Sequence, residues 1–239
     1  MVWVVFSTKV KNLVTQEKPK FVLEKRANFV ENINHEIQLI ISGKSEVRYG
    51  AIIKAIAHYL RRSQSANSMA QDTLLYKKEE TEALKKYVSR NKLWISKDSI
   101  GGYISEGAEQ KVYLNDEKYV IKLNDSIFYT SWEDYLNSLL LHNYFFPDTA
   151  YELIGFMEDN SVMFAVVRQP FVTATEKTDL EAVKKFMSEN GFINTKNNDY
   201  RNPELGLILE DLHDENVLTK DGVLYFVDTV FYILPNNKM

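Results

Sequence analysis

The segment Leu209–Leu218 (LEDLHDENVL) carries five ionisable side chains and one amide among apolar residues. It lies between two apolar runs that predict strands, Leu205–Leu209 and Val223–Val227. Dense acidic residues are more often a polar turn, in which Asp and Asn side chains bind nearby backbone groups. The flanking runs favour a different interpretation, in which carboxylates and one amide are held at the ends of buried strands.

A tight turn is predicted at Asp221-Gly222, because this dipeptide is typical of β-hairpins. Residues whose numbers sum to about 443 then face each other, so Asn216 lies opposite Val227 or Asp228. Cross-strand neighbours have Cβ atoms about 5 Å apart. The Asn216 amide oxygen and the Asp228 carboxylate could therefore hold one hard cation, and Mg²⁺ prefers such oxygen ligands together with substrate phosphates. Asp211, five residues before Asn216, could accept a proton beside that metal.

The pattern Asp-x4-Asn, followed by an Asp at a strand end, resembles the protein-kinase and aminoglycoside-phosphotransferase superfamily. The form Asp211-Leu-His-Asp-Glu-Asn216-Val-Leu is similar to the small-molecule kinase version, D-L-H-P-x-N-V-L. The resemblance implies that Asp211 is the catalytic base for an acceptor hydroxyl, Asn216 a metal ligand and Asp228 the principal Mg²⁺ ligand. More narrowly, the region from Tyr103 onward resembles the kinase-like domain of the polyvalent proteins carried by phages and conjugative elements.

Two further kinase motifs stand upstream in the expected order. The segment Ser105–Val112 (SEGAEQKV) follows the G-x-G-x-x-G-x-V pattern with only the middle glycine, Gly107, kept. The resemblance implies that this backbone contacts the phosphates of ATP. The segment Tyr119–Lys122 (YVIK) resembles V-A-I-K, so Lys122 is the expected contact of the α- and β-phosphates. The alternatives are an ordinary hairpin glycine at Gly107 and an exposed strand lysine at Lys122.

The lysine of such a site pairs with an acid on the following helix. Ser131-Trp-Glu-Asp134 resembles a capping box at the start of a helix that runs to about Phe146. We prefer Glu133 to Asp134 as the partner of Lys122, because Glu133 shares a helix face with Leu136 and Leu140. The alternative is that Glu133 only stabilises the helix N-terminus.

Two parts of the sequence differ in their residue patterns, and this difference predicts the organisation of the chain. Residues 1–96 form a mainly helical region, and residues 97–239 form a kinase-like domain with a first lobe at about 100–168 and a reduced second lobe at about 171–239. Predicted helices lie near Lys20–Ser42, Glu46–Arg62, Lys77–Lys92 and Thr178–Asn190. Predicted first-lobe strands lie at Gly102–Ile104, Lys111–Leu114, Tyr119–Leu123, Ala150–Met157 and Val162–Arg168.

The expected fold class is therefore α+β. It is a kinase-like bilobal fold with a five-stranded antiparallel sheet and one helix in the first lobe, and we expect the N-terminal helices to pack on it. The resemblance implies that Arg168-Gln169-Pro-Phe171, after the fifth strand, is the hinge and that its backbone contacts adenine.

Three departures from the kinase pattern bear on activity. Asp228-Thr-Val230 stands where kinases have D-F-G, and Leu209-Glu210 stands where protein kinases have His-Arg before the catalytic Asp. Only eleven residues follow Asp228 in the sequence, too few for an activation loop and substrate-binding helices. We therefore expect the acceptor site to depend on a partner protein or on a longer natural polypeptide.

Composition narrows the classes of function. The sequence has 239 residues and 45% apolar content, enough for a real core, and it contains no cysteine, which excludes thiolate catalysis, disulfides and cysteine zinc sites. The net charge of −4 gives nucleic-acid binding no support. The sequence has no apolar run of the roughly 18 residues that a membrane span needs. We expect a cytoplasmic protein.

The expected function is an ATP- and Mg²⁺-dependent phosphotransferase that acts on a hydroxyl acceptor. One alternative is a nucleotide-binding pseudokinase that serves as a scaffold or regulator of a mobile genetic element, which the lost glycines favour. Another is an accessory protein of a mobile element whose helical half contacts nucleic acid or a protein partner.

Overall fold

The computed structural model describes residues 19–63, 73–106 and 110–234. Its contacts divide the chain into two compact units. The five-stranded unit contains the described residues of Glu46–Asn143 and Thr149–Phe171. The hairpin unit contains the described residues up to Ser45, the short segment Tyr144–Asp148, and those from Val172 onward.

Five helices are present within the described residues. They are α1 (Pro19–Ile41), α2 (Gly50–Ser63), α3 (Thr73–Arg90), α4 (Trp132–Phe145) and α5 (Leu180–Glu189). Helix α2 is amphipathic, because Ile53, Ile56, Ala57 and Leu60 recur at helical spacing and are all buried. Helix α4 begins at the predicted capping residue, where Ser131 Oγ accepts a hydrogen bond of 2.9 Å from the Asp134 backbone N–H.

The five-stranded unit is built on one antiparallel sheet with strand order β1-β2-β3-β5-β4. The strands are β1 (Gly102–Glu106), β2 (Gln110–Leu114), β3 (Tyr119–Asn124), β4 (Glu152–Asp159) and β5 (Val162–Pro170). Side chains alternate between the two faces of a strand, and Ile121 and Leu123 of the central strand β3 enter a core with Met157, Phe164 and Val166. Lys122 therefore points to the opposite face of the sheet.

Strand β4 is an edge of this sheet, and the segment before β1 covers it. The Ile95 N–H donates to the Phe156 carbonyl at 2.7 Å, and the Phe156 N–H donates to the Leu93 carbonyl at 2.9 Å. This close approach requires glycine at position 155, because a Cβ there would collide with the Leu93 carbonyl oxygen. The residues just before the predicted kinase-like domain are thus part of its sheet structure.

The hairpin unit contains a four-stranded antiparallel sheet of order β11-β8-β7-β6 and a separate two-stranded hairpin, β9-β10. The strands are β6 (Ile193–Lys196), β7 (Asp199–Asn202), β8 (Leu207–Glu210), β9 (Val217–Lys220), β10 (Val223–Phe226) and β11 (Val230–Ile233). Its aromatic core includes stacked pairs with ring centroids 5.5 Å apart (Phe145 and Phe231) and 4.3 Å apart (Phe146 and Phe226). Helix α1 joins this unit, since Asn34 Nδ2 donates to the Glu204 carbonyl at 2.8 Å.

The α+β class, the five-stranded antiparallel sheet and the N-terminal helices are confirmed. Strands β6, β7 and β11 were not predicted from the sequence. The division of the chain at residue 96 stays a prediction. Among the described helices, none is both long and apolar enough to cross a membrane.

Candidate active site

Lys122 lies in the middle of the five-stranded sheet. It pairs with Val112 of β2 on one side and Val167 of β5 on the other, and its side chain is only 6% exposed. The Nζ atom lies 5.5 Å from the centroid of the Tyr151 ring, a cation–π distance. The alternative of an exposed strand lysine is therefore wrong.

A buried polar cluster surrounds Tyr151. The Asn143 side chain holds its backbone from both sides, accepting from the Tyr151 N–H at 2.7 Å and donating to its carbonyl at 2.8 Å. The His142 ring lies 4.5 Å from the Tyr151 ring, and its Nε2 lies 3.0 Å from the Thr149 carbonyl oxygen. The Gln169 side chain, 1% exposed, donates to the same carbonyl at 2.7 Å.

His142 stays neutral in this cluster. Burial lowers the pKa of His142 to about 3, the bond to the Thr149 carbonyl raises it in part, and the charge of Lys122 lowers it further. A neutral imidazole that binds a carbonyl through Nε2 carries its proton on that atom. Gln169 lies within strand β5, and its side chain belongs to this buried cluster. Contact of its backbone with adenine stays a prediction.

The N-terminus of helix α4 is held by side chains of helix α3. Glu80 accepts the backbone N–H groups of Trp132 at 2.6 Å and Glu133 at 3.0 Å, the groups that have no partner within a helix. Lys77 donates to the Ser126 and Tyr129 carbonyls in the loop before α4. Burial raises the pKa of Glu80 to about 7, and the two backbone bonds oppose that rise.

Glu133 forms an ion pair with helix α2, where its Oε1 lies 2.7 Å from Arg61 Nε. Its pairing with Lys122 stays a prediction. Glu80 was not singled out from the sequence. A sequence signal for Glu80 is weak, because an acid on a Lys- and Glu-rich helix is usually exposed.

The hairpin register agrees with the sequence prediction. Pairs such as Val217 with Phe226 and Lys220 with Val223 each have numbers that sum to 443. Beyond the last pair, the N–H groups of Val227 and Asp228 both donate to the Asn216 carbonyl, at 2.9 and 3.3 Å. Asn216 therefore lies opposite both residues, and the backbone of Asp228 is tied to it directly.

Asp211 is held in an uncommon backbone conformation by hydrogen bonds. Its φ of 68° lies in the left-handed region. Asn216 Nδ2 donates both to its carbonyl at 2.9 Å and to its Oδ2 at 2.7 Å. His213 Nε2 lies 3.3 Å from its Oδ1, so His213 is a loop side chain next to this carboxylate.

Asn216 and Asp228 carry oxygen atoms of the kind that Mg²⁺ prefers, and a magnesium site at these residues stays a prediction. The Asn216 amide nitrogen donates to Asp211, so the amide oxygen remains as its acceptor. Asp228 carries the carboxylate, and its backbone N–H donates to the Asn216 carbonyl. Within the described residues, no group of three or more His, Asp or Glu side chains could hold a metal. Magnesium needs only one or two protein carboxylates when a substrate supplies the other oxygens.

Gly107 lies outside the described residues, and its contact with phosphate stays a prediction.

The family described as "Serine/Threonine/Tyrosine Kinase found in polyvalent proteins" matches residues 77–235. The match begins inside helix α3, at Lys77, and includes Lys122 and the whole segment Asp211–Asp228. No curated protein and no solved structure matches the chain.

Proposed function

Because the chain belongs to the family of serine/threonine/tyrosine kinases found in polyvalent proteins, we propose that it is an ATP- and Mg²⁺-dependent phosphotransferase acting on a hydroxyl acceptor. One observation carries this proposal beyond family membership. Asn216 Nδ2 donates to Asp211 Oδ2 at 2.7 Å, while the Asn216 carbonyl accepts the N–H of Asp228. Hydrogen bonds therefore connect Asp211, Asn216 and Asp228, the three residues of the proposed chemistry.

In this proposal Asp211 accepts the hydrogen bond of the acceptor hydroxyl and takes its proton as the phosphoryl group is transferred. Asn216 keeps the Asp211 carboxylate pointing in one direction, which is the positioning on which phosphoryl transfer depends. The Asn216 amide oxygen and the Asp228 carboxylate would hold Mg²⁺. The ion, when bound, neutralises charge that develops on the phosphate oxygens.

The residues of the five-stranded unit take the remaining roles. Lys122 binds the α- and β-phosphates through an ammonium that the Tyr151 ring keeps in place. The backbone at Gly107 contacts phosphate oxygens, the backbone at Gln169 contacts adenine, and Glu133 is the acid that pairs with Lys122. These assignments follow the family resemblance residue by residue.

Isothermal titration calorimetry with ATP, with and without Mg²⁺, tests the binding part of the proposal. We expect ATP binding that Mg²⁺ strengthens in the wild type, loss of that strengthening in Asp228→Ala, and unchanged binding in Asp211→Asn. The matched control is Glu215→Gln, which makes the same change of charge on an exposed residue of the same loop. A wild type that does not bind ATP in the presence of Mg²⁺ would overturn the proposal.

Release of labelled phosphate from ATP tests the catalytic part. We expect Asp211→Asn to reduce turnover roughly 10²–10⁴-fold, the usual contribution of a positioned general base. Glu215→Gln should keep the wild-type rate. Equal turnover in wild type and Asp211→Asn would remove Asp211 from the chemistry. ATP binding without turnover in any variant would identify a pseudokinase instead.

A further inference from the structure

Strands β6 and β7 form a hairpin whose turn lies against the start of the Asp211–Asn216 loop. Strand β7 pairs with β8 as far as Tyr200 and Leu209, and that register places Asp199 beside Glu210. The turn is tight, since Asn197 has a φ of 49°. The hairpin thus ends where strand β8 gives way to the loop.

Two hydrogen bonds connect this turn to the loop. The backbone N–H of Asp211 donates to Asp199 Oδ1 at 3.1 Å. The next N–H, that of Leu212, donates to the Asn198 carbonyl at 3.1 Å. Leu212 is fully buried, so the loop is also anchored by packing directly after Asp211.

Asp211 depends on such bonds because its backbone conformation is unfavourable for a residue with a side chain. A left-handed conformation is uncommon for residues other than glycine, Asp and Asn adopting it more readily than most, and it persists where the surroundings hold it. Asn216 holds the carbonyl and carboxylate of Asp211, and Asp199 holds its N–H. The two peptide planes that flank Asp211 are therefore fixed from opposite sides.

We infer that Asp199 is a positioning residue for Asp211, and that the β6–β7 hairpin serves to place it. Asp199 touches neither substrate nor metal in this assignment. It sets the direction of the Asp211 N–H, and through the backbone it sets the direction in which the carboxylate points. The consequence for turnover rests on the proposed function, but the hydrogen bond itself can be tested without it.

Three variants isolate the Asp199 bond. Asp199→Ala removes the acceptor. Asp199→Asn keeps an amide oxygen at the place of Oδ1 and removes only the charge. Asn198→Ala is the matched control in the same turn, because the bond from Leu212 is to the Asn198 backbone and survives the change.

Amide hydrogen exchange by NMR in the nucleotide-free protein reads the bond directly. We expect the Asp211 amide to exchange roughly 2- to 12-fold faster in Asp199→Ala, which is the factor that the free energy of one ordinary hydrogen bond corresponds to. Asp199→Asn and Asn198→Ala should keep the wild-type protection. The amide of Leu209, which lies in strand β8, should not change in any variant. Equal protection of Asp211 in wild type and Asp199→Ala would overturn the inference.

Turnover then shows whether the bond matters for chemistry. We expect Asp199→Ala to lower kcat roughly 10–100-fold without changing KM for ATP, because small displacements of a catalytic group cost up to about 10²-fold. Asp199→Asn should keep most of the wild-type rate, because its amide oxygen can still accept the Asp211 N–H. If the negative charge of Asp199 were what mattered, Asp199→Asn would lose the rate as Asp199→Ala does. A kcat in Asp199→Ala equal to that of the wild type would overturn the positioning role.

Failure of the inference and failure of the proposed function can be told apart. A wild type without turnover overturns the proposed function, and the exchange result for Asp211 still decides whether Asp199 holds its amide. Asp199→Glu covers the case in which Asp199→Ala does not fold. It keeps the charge but moves the oxygen by one methylene, so the same faster exchange at Asp211 is expected.

Discussion

Lys122 and Asp211 are held in place by different kinds of structure, one in each unit. Lys122 lies on the central strand of a sheet, buried, with Tyr151 against its Nζ atom. Asp211 lies in a loop with a left-handed backbone, and side chains of Asp199 and Asn216 hold it there. Packing and strand register position the first residue, and a few polar atoms position the second.

This difference predicts different responses to substitution. A sheet position keeps its backbone when one side chain changes, because the ladder of backbone hydrogen bonds remains. A loop position that depends on side-chain acceptors loses its geometry when one acceptor is removed. The N-terminus of α4 is an exception in the five-stranded unit, since Glu80 holds it by side-chain bonds in the way that Asp199 holds Asp211.

The largest effect is expected for Lys122→Met. Phosphoryl transfer should fall roughly 10²–10³-fold, because a positive charge aimed at the phosphates is lost. The free energy of unfolding, measured by urea denaturation, should stay equal or rise, because an apolar side chain replaces a buried charge. Lys111→Met is the matched control on the neighbouring strand β2 and should keep turnover. A clear loss of stability in Lys122→Met would break the comparison.

A smaller effect, on stability, is expected for Glu80→Ala. Two backbone N–H groups at the start of α4 lose their acceptor, and a buried donor without a partner costs about 1–3 kcal/mol. Urea denaturation at pH 5 would measure the change. Glu82→Ala on the same helix is the control, because Glu82 is exposed. Equal stability of the two variants would show that packing alone places α4.

Glu80 also predicts a pH dependence of stability. The pKa of Glu80 is raised by burial to about 7, so the folded protein binds this proton more tightly than the unfolded chain does. The contribution of Glu80 to stability is therefore fully present below the ordinary carboxyl pKa of about 4.3 and is lost as pH rises toward 7. The slope is at most about 1.4 kcal/mol per pH unit.

The difference in free energy of unfolding between wild type and Glu80→Gln isolates this contribution. We expect wild type to lose stability relative to Glu80→Gln as pH rises from about 4.3 to 7. The subtraction also removes His142, whose lowered pKa makes its own contribution fall as pH drops from about 6.5 toward 3. A difference that does not change over this range would contradict the raised pKa.

The smallest effect is expected for Arg61→Gln. The ion pair of Arg61 with Glu133 is partly exposed, with side chains 28% and 20% accessible, and pairs of this kind contribute about 0.2–1 kcal/mol. The melting temperature should drop slightly, and by less in high salt. Arg62→Gln, exposed on the same helix, is the control and should leave stability unchanged. A large loss in Arg61→Gln would make this pair an anchor of α4 comparable to Glu80.

Much of the fold followed from local patterns. The strands of the five-stranded sheet were predicted within a few residues, because alternating apolar residues and turn residues act over short stretches. The β9–β10 register followed from Asp221-Gly222 alone. Strands β6 and β7 were missed although Asn197-Asn198 between them is a turn signal, since the flanking residues are polar and β6 is wholly exposed.

The contacts that hold the candidate site could not be predicted in the same way. Glu80 reaches Trp132 across 52 positions of the chain, and Asp199 reaches Asp211 across 12. The sequence shows only that these are polar residues on a helix and at a turn. Exposed acids are common at both kinds of place, so nothing local separates them from solvated charges.

The identities and spacings of Lys122, Asp211, Asn216 and Asp228 indicated a kinase-like site through their resemblance to kinase motifs. The turn at Asp221-Gly222 predicted by backbone geometry which residues lie opposite Asn216. The tertiary structure alone decided that Tyr151 supports Lys122, that Glu80 holds α4 and that Asp199 holds Asp211. Each of these contacts joins a polar or aromatic group to a residue from another segment of the chain. Such contacts depend on how the whole chain packs, so short-range sequence patterns do not predict them.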